Sequence, residues 1–122
     1  MKICVGSAFP GGMDATITDS LEESEMLDYY ELREDGSLEH IAQTRKCLGG
    51  CTDLVESIIR RDVQSLVVKG LLPGSLLKFK NAGVRIFLTE SPSVRESMDK
   101  LRAGTLREIG LDQFSTLGRR QK

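Results

Sequence analysis

The stretch CTDLVESIIRRDVQSLVVKG, residues 51–70, changes its hydrophobic period part-way and so decides the fold class. Cys51, Leu54, Val55, Ile58 and Ile59 recur at i, i+3, i+4, i+7 and i+8, which draws one apolar face of a helix. The pattern then turns into SLVVKG (65–70), a short apolar run closed by a glycine, as a buried strand reads. Working outward, PGSLLKFKNAG (73–83) gives a short helix with Gly83 placed for a left-handed C-cap, and VRIFL (84–88) a further strand. In SPSVRESMDKLRAG (91–104), Ser91-Pro92 suits a helix start, and Ser93 with Glu96 offers an alternative capping box. Val94, Met98 and Leu101 form its inward stripe, and Gly104 ends it.

Upstream of residue 51, KICVGSAF (2–9) is apolar on both faces and predicts a strand in the middle of a sheet. PGG (10–12) opens a long polar loop to about Glu25. MLDYYELRE and SLEHIAQ then flank Asp35-Gly36, which suits a two-residue hairpin turn. The resulting order of elements predicts an α/β domain with a five-stranded mixed sheet, the first strand central, and three helices. Residues 105–122 carry little periodicity, and STLGRRQK (115–122) has too few apolar side chains to offset the entropy of ordering it. The domain is therefore expected over residues 1–107, with 108–122 a flexible tail dispensable for the fold.

Composition narrows the function classes. The chain has 122 residues and a formal charge of −1, which does not suit a nucleic-acid binder held by counterion release. Five per cent aromatic residues and no tryptophan provide no stacking platform for single strands. No run approaches the roughly 20 apolar residues of a membrane span, and no signal-peptide core follows Met1. A cytoplasmic protein is expected, whose three cysteines stay reduced and serve packing, catalysis or metal binding.

Topology directs three connections to one edge of the predicted sheet: GSAFPGG (6–12), KCLGGC (46–51) and KGLLPGS (69–75). Ligands of open α/β sheets sit at such a carboxyl edge. Ser7, Lys46, Gly49, Gly50, Lys69 and Gly70 are the candidate binding residues there: glycines permit close backbone approach, and lysines with a helix N-terminus favour an anion. Cys47 and Cys51 are the candidate metal ligands, since a helix start favours the thiolate that binds soft metals. Cys51 also heads the apolar stripe, and burial as a small hydrophobe would explain it equally. A closed zinc site would need Cys4 and His40, placed on a central strand and in the hairpin. His40 reads as a half-exposed strand residue, and the acidic run Asp19, Glu22, Glu23, Glu25 as a solvated loop face.

The ordered series of glycines and apolar runs resembles the dinitrogenase iron–molybdenum cofactor biosynthesis family over about residues 2–107. The carriers are MKICVGS, LDYYELREDGSLEHI, the core from Leu48 to Leu88, and SVRESMDKLRAGTL. The resemblance implies a ribonuclease H-like three-layer fold and non-catalytic binding or carriage of a metal–sulfur cluster, iron–molybdenum-type or iron–sulfur, or its precursor. It implies cluster donor or recipient proteins as partners, and neither nucleic acid nor membrane. Many members carry a His-Phe-Gly segment where this chain reads ITDSLEES (17–24), so no imidazole stands there. The cysteine pair would supply thiolates in its place. The alternative is an adaptor of the same fold without a metal site. A nuclease would need a carboxylate on the first strand, which has none.

Overall fold

The computed structural model describes residues 1–45 and 54–109. The chain runs β1 (Lys2–Ser7), β2 (Met26–Leu32), β3 (Leu38–Arg45), α1 (Leu54–Arg60), β4 (Ser65–Val68), α2 (Pro73–Asn81), β5 (Arg85–Leu88), α3 (Val94–Ala103) and β6 (Arg107–Ile109). The described elements form one mixed sheet in the order β3-β2-β1-β4-β5-β6, with β1 inside it and paired parallel to β4 as the sequence requires. β2 is antiparallel to both β1 and β3, and β5 is parallel to β4.

The sheet has six strands, not five. The sixth, β6, pairs antiparallel with β5 and crosses the expected domain boundary at residue 107. Ile109 is buried, and Glu108 ion-pairs with Arg85 at 2.8 Å. Three residues are too short to show a period, and what holds them is a partner strand far away in sequence.

β1 is buried on both faces because helices cover both. Cys4 packs with Val55 and Ile58 of α1 and with Leu76 and Phe79 of α2. Ile3 and Val5 pack with Val94, Met98 and Leu101 of α3. Each such large aliphatic side chain, fully removed from water, contributes roughly 1.5–3 kcal/mol before the entropy of ordering it is subtracted.

The hairpin turn is one residue longer than its Asp35-Gly36 signal suggests. The Gly36 amide donates to the Arg33 carbonyl, Gly36 takes φ +88°, and Arg33 pairs with Ser37. That is a three-residue loop with a left-handed glycine, and Asp35 stiffens it by accepting from both the amide and the hydroxyl of Ser37. At α3 the structure selects Ser93 over Ser91 as N-cap: the Ser93 hydroxyl accepts from the Glu96 amide at 3.2 Å. Gly104 ends that helix at φ +74°.

Candidate functional site

β1, β4 and β5 are parallel, so their carboxyl ends share one rim of the sheet. β3 ends on the same side, since Arg45 is opposite Met26 and Met26 opposite Ser7. The long connection between β1 and β2, residues 8–25, folds back over this rim and is held in two places.

Its first half is tied to α3 and to β2. The Val94 and Arg95 amides, unpaired by the helix itself, donate to the carbonyls of Ala15 and Met13 at 3.2 and 3.1 Å. Asp28 of β2 is fully buried, and its carboxylate accepts from the Gly12 amide at 2.9 Å and from Gln43 Nε2 at 2.8 Å. His40 Nε2 lies 2.8 Å from the same carboxylate. Gly11 has φ +79°, and a Cβ there would stand 2.6 Å from Gln43 Nε2 and 2.8 Å from Asp28 Oδ2, so glycine is needed for both reasons.

The second half is tied to α2. Glu22, in a 3₁₀ turn at Leu21–Glu23, accepts from the Leu72 amide at 3.2 Å and from the Ser75 hydroxyl at 2.5 Å. It thus caps a helix whose own N-cap residue, Leu72, has no side-chain acceptor. The Leu21 amide donates to the Gly70 carbonyl at 2.9 Å, and Lys69 Nζ meets Asp19 Oδ1 at 3.1 Å. The segment sits close enough to β1 that a Cβ at Gly6 would lie 2.0 Å from the Ser24 hydroxyl oxygen.

Of the candidate residues read from the sequence, Ser7, Lys69 and Gly70 do arrive at this rim. Ser7 is fully buried, and its hydroxyl has no hydrogen-bond partner among the described residues. Lys69 and Gly70 are engaged by the chain itself, through Asp19 and Leu21. Lys46, Cys47, Gly49, Gly50 and Cys51 lie outside the described residues. The two residues that bracket them are placed: Arg45 ends β3 with its guanidinium 5.1 Å from the centre of the exposed Phe9 ring, and Leu54 begins α1.

Cys4 is fully enclosed, and burial pushes its thiol well above the ordinary range, which keeps it protonated and unsuited to ligation. His40 faces Asp28 and stacks at 5.0 Å on Tyr30, so neither residue joins the rim. Among the described residues no three of His, Cys, Asp or Glu gather as a metal ion would require. The acidic run corrects the sequence reading in part, because Glu22 is a helix cap and not a solvated face. No local signal marks it; the nearest hint is that α2 opens Pro-Gly-Ser with no acidic side chain in its first turn.

No family model matches the sequence, and no curated protein does. Solved structures do match. A "putative NifB protein" from Thermotoga has a TM-score of 0.68 at 22% identity, covering 88% of this chain and 91% of that one. A "putative dinitrogenase" from Methanocaldococcus jannaschii has 0.69 at 17%, covering 90% and 95%. The apo form of the orange protein from Desulfovibrio gigas has 0.67 at 11%, covering 89% and 92%. The likeness is one of fold. It extends over nearly the whole length of each neighbour.

In chemical terms, the Lys69 ammonium and the Leu72 amide at the start of α2 are already engaged by Asp19 and Glu22. An anionic ligand at that spot would have to displace a carboxylate. The two remaining cysteines, Cys47 and Cys51, fall in the sequence between Arg45 and Leu54, outside the described residues.

Proposed function

We propose that the protein is a non-catalytic carrier that binds a metal–sulfur cluster, iron–molybdenum-type or iron–sulfur, or the precursor of one. It belongs, on this reading, with the dinitrogenase iron–molybdenum cofactor biosynthesis proteins, on a ribonuclease H-like fold, and works in the cytoplasm. No helix among the described residues is long and apolar enough to cross a membrane. The observation that supports the reading is the position of Arg45, which ends β3 on the side of the sheet where β1 ends, with its guanidinium over Phe9; Cys47 follows it by two residues in the sequence. The cluster is cargo, exchanged with donor and recipient proteins, and the thiolates are its anchors. Cys47 is the principal ligand and Cys51 its partner, with Ser7, Lys46, Gly49 and Gly50 around them.

A specific observation favours a second reading, the adaptor without a metal site. Where related proteins place His-Phe-Gly, this chain has a segment that occupies Lys69, Gly70 and the start of α2 with its own groups. One experiment separates the two. Protein purified without oxygen is assayed for visible absorption and for iron, molybdenum, copper and zinc, and then offered a cluster. The carrier takes up colour and metal, and Cys47→Ser loses most of that uptake with an unchanged thermal midpoint. A colourless, metal-free protein that refuses a supplied cluster is the adaptor.

A further inference from the structure

Arg45 stands in one row across the sheet with Met26 of β2 and Ser7 of β1. Phe9 comes only two residues after Ser7, yet its ring reaches past β2, and the Arg45 guanidinium carbon lies 5.1 Å from the ring centre. The turn that carries Phe9 explains how. It is closed by the Gly11 amide donating to the Ala8 carbonyl at 2.9 Å. It leans over β2, since a Cβ at Gly11 would stand 3.1 Å from the Met26 Cβ. The Pro10 carbonyl then accepts from Gln43 Nε2 of β3 at 3.1 Å, and the same Nε2 donates to buried Asp28. The turn is thus fastened to the sheet on both sides of Phe9.

That fastening holds an aromatic ring in the open. Phe9 is 57% exposed, and Arg45 is exposed as well, so burial does not account for where the ring sits. A ring attracts a cation through its quadrupole and takes up no acceptor in doing so, which leaves the guanidinium with N–H donors to offer.

Other cations of the rim are engaged. Lys69 meets Asp19 at 3.1 Å, and Arg95 meets Asp14 at 3.0 Å. Among the described residues no carboxylate lies within ion-pair distance of Arg45, whose contact is the Phe9 ring. A guanidinium is always charged, weakly hydrated and planar, which suits a large anion with several sulfur or oxygen acceptors.

We propose that Arg45 is the residue that selects anionic metal–sulfur cargo, and that Phe9 positions it. The inference rests on the carrier reading and adds to it the sign of the cargo's charge and the group that reads that sign.

The full chain, reduced and kept without oxygen, is titrated with tetrathiomolybdate, a dianion whose uptake is followed by its visible absorption at low and at molar salt. Arg45→Gln is expected to weaken uptake roughly tenfold at low salt, with the difference vanishing in molar salt and the thermal midpoint unchanged. Phe9→Leu is expected to weaken it roughly threefold and Phe9→Trp to restore it, because a ring and not merely an apolar side chain holds the guanidinium. Equal affinity of the wild type and Arg45→Gln at low salt, with uptake still lost in Cys47→Ser, would overturn the role of Arg45 and leave the carrier standing. Phe9→Leu binding as well as Phe9→Trp would overturn the positioning role of Phe9. Wild-type protein that takes up no tetrathiomolybdate would overturn the inference outright, and one that also refuses a supplied cluster would take the carrier reading with it.

Discussion

The two halves of the loop over residues 8–25 are held to the same rim by opposite means. The first half brings backbone: the carbonyls of Met13 and Ala15 meet the α3 amides, and the Gly12 amide meets a carboxylate buried in the sheet. The second half brings side chains: Glu22 reaches the start of α2, and Asp19 reaches Lys69. Backbone acceptors are indifferent to the identity of their residues. The second half, by contrast, depends on two specific acids. Change at Asp19 or Glu22, unlike change at the core residue Leu21 between them, therefore alters what the rim offers a ligand more than it disturbs the fold, whereas the first half is tied to the core through Asp28.

The largest effect should come from breaking that tie. Asp28→Ala removes the acceptor shared by Gly12, Gln43 and His40 and leaves the Gly12 amide without its partner beneath the loop. Hydrogen bonds to a charged group contribute about 1.5–3 kcal/mol each, but Gln43 and His40 are partly exposed and can turn to water. A net loss of about 3 kcal/mol is expected in urea unfolding, with faster amide exchange at residues 11–16. A loss below about 1 kcal/mol would mean that the first half is held by α3 alone.

The two helix starts offer a sharper version of the contrast. Glu22→Ala strips α2 of an acceptor supplied from 50 residues away, whereas Ser93→Ala strips α3 of its local one. Glu22 also orients the Ser75 hydroxyl, which is buried, so its loss should cost about 1–2 kcal/mol. Ser93→Ala should cost about 1 kcal/mol, the usual value of an N-cap, because the loop carbonyls still hold the next two amides. The comparison is of unfolding midpoints in one buffer. If Ser93→Ala proves the more damaging, the acid at 22 is ornament at the surface and the second half is held by Leu21.

This pair also shows what the sequence could reveal. Ser93 and Glu96 are three positions apart and announce a helix start, as Asp35-Gly36 announces a hairpin and Val94, Met98 and Leu101 an inward face. Local periods and caps are written in neighbouring residues. Glu22 and β6 are not, because each is fixed by a partner distant in the chain and neither carries a pattern of its own. The convergence of Ser7, Lys69 and Gly70 on one rim was legible for a different reason: it comes from the handedness of crossovers, not from any motif. That the same Lys69 would be occupied by Asp19 was hidden, since a lysine and an aspartate at that separation pair in few of the folds their sequence allows.

The smallest effect concerns that ion pair. Lys69 Nζ and Asp19 Oδ1 are 3.1 Å apart, yet the aspartate side chain is 85% exposed and the lysine 26%. Water and salt screen such a pair, and its contribution is at most about 1 kcal/mol. Asp19→Asn should shift the unfolding free energy by about 0.5 kcal/mol or less at low salt and by nothing measurable in molar salt. Its informative consequence is electrostatic: it frees the Lys69 ammonium at the rim. If the rim draws anionic cargo, Asp19→Asn should strengthen uptake of a supplied negatively charged metal–sulfur species at low ionic strength, and the gain should vanish as salt rises. An equal uptake by both proteins at every salt concentration would show that Lys69 takes no part in binding and that the pair only fastens the loop.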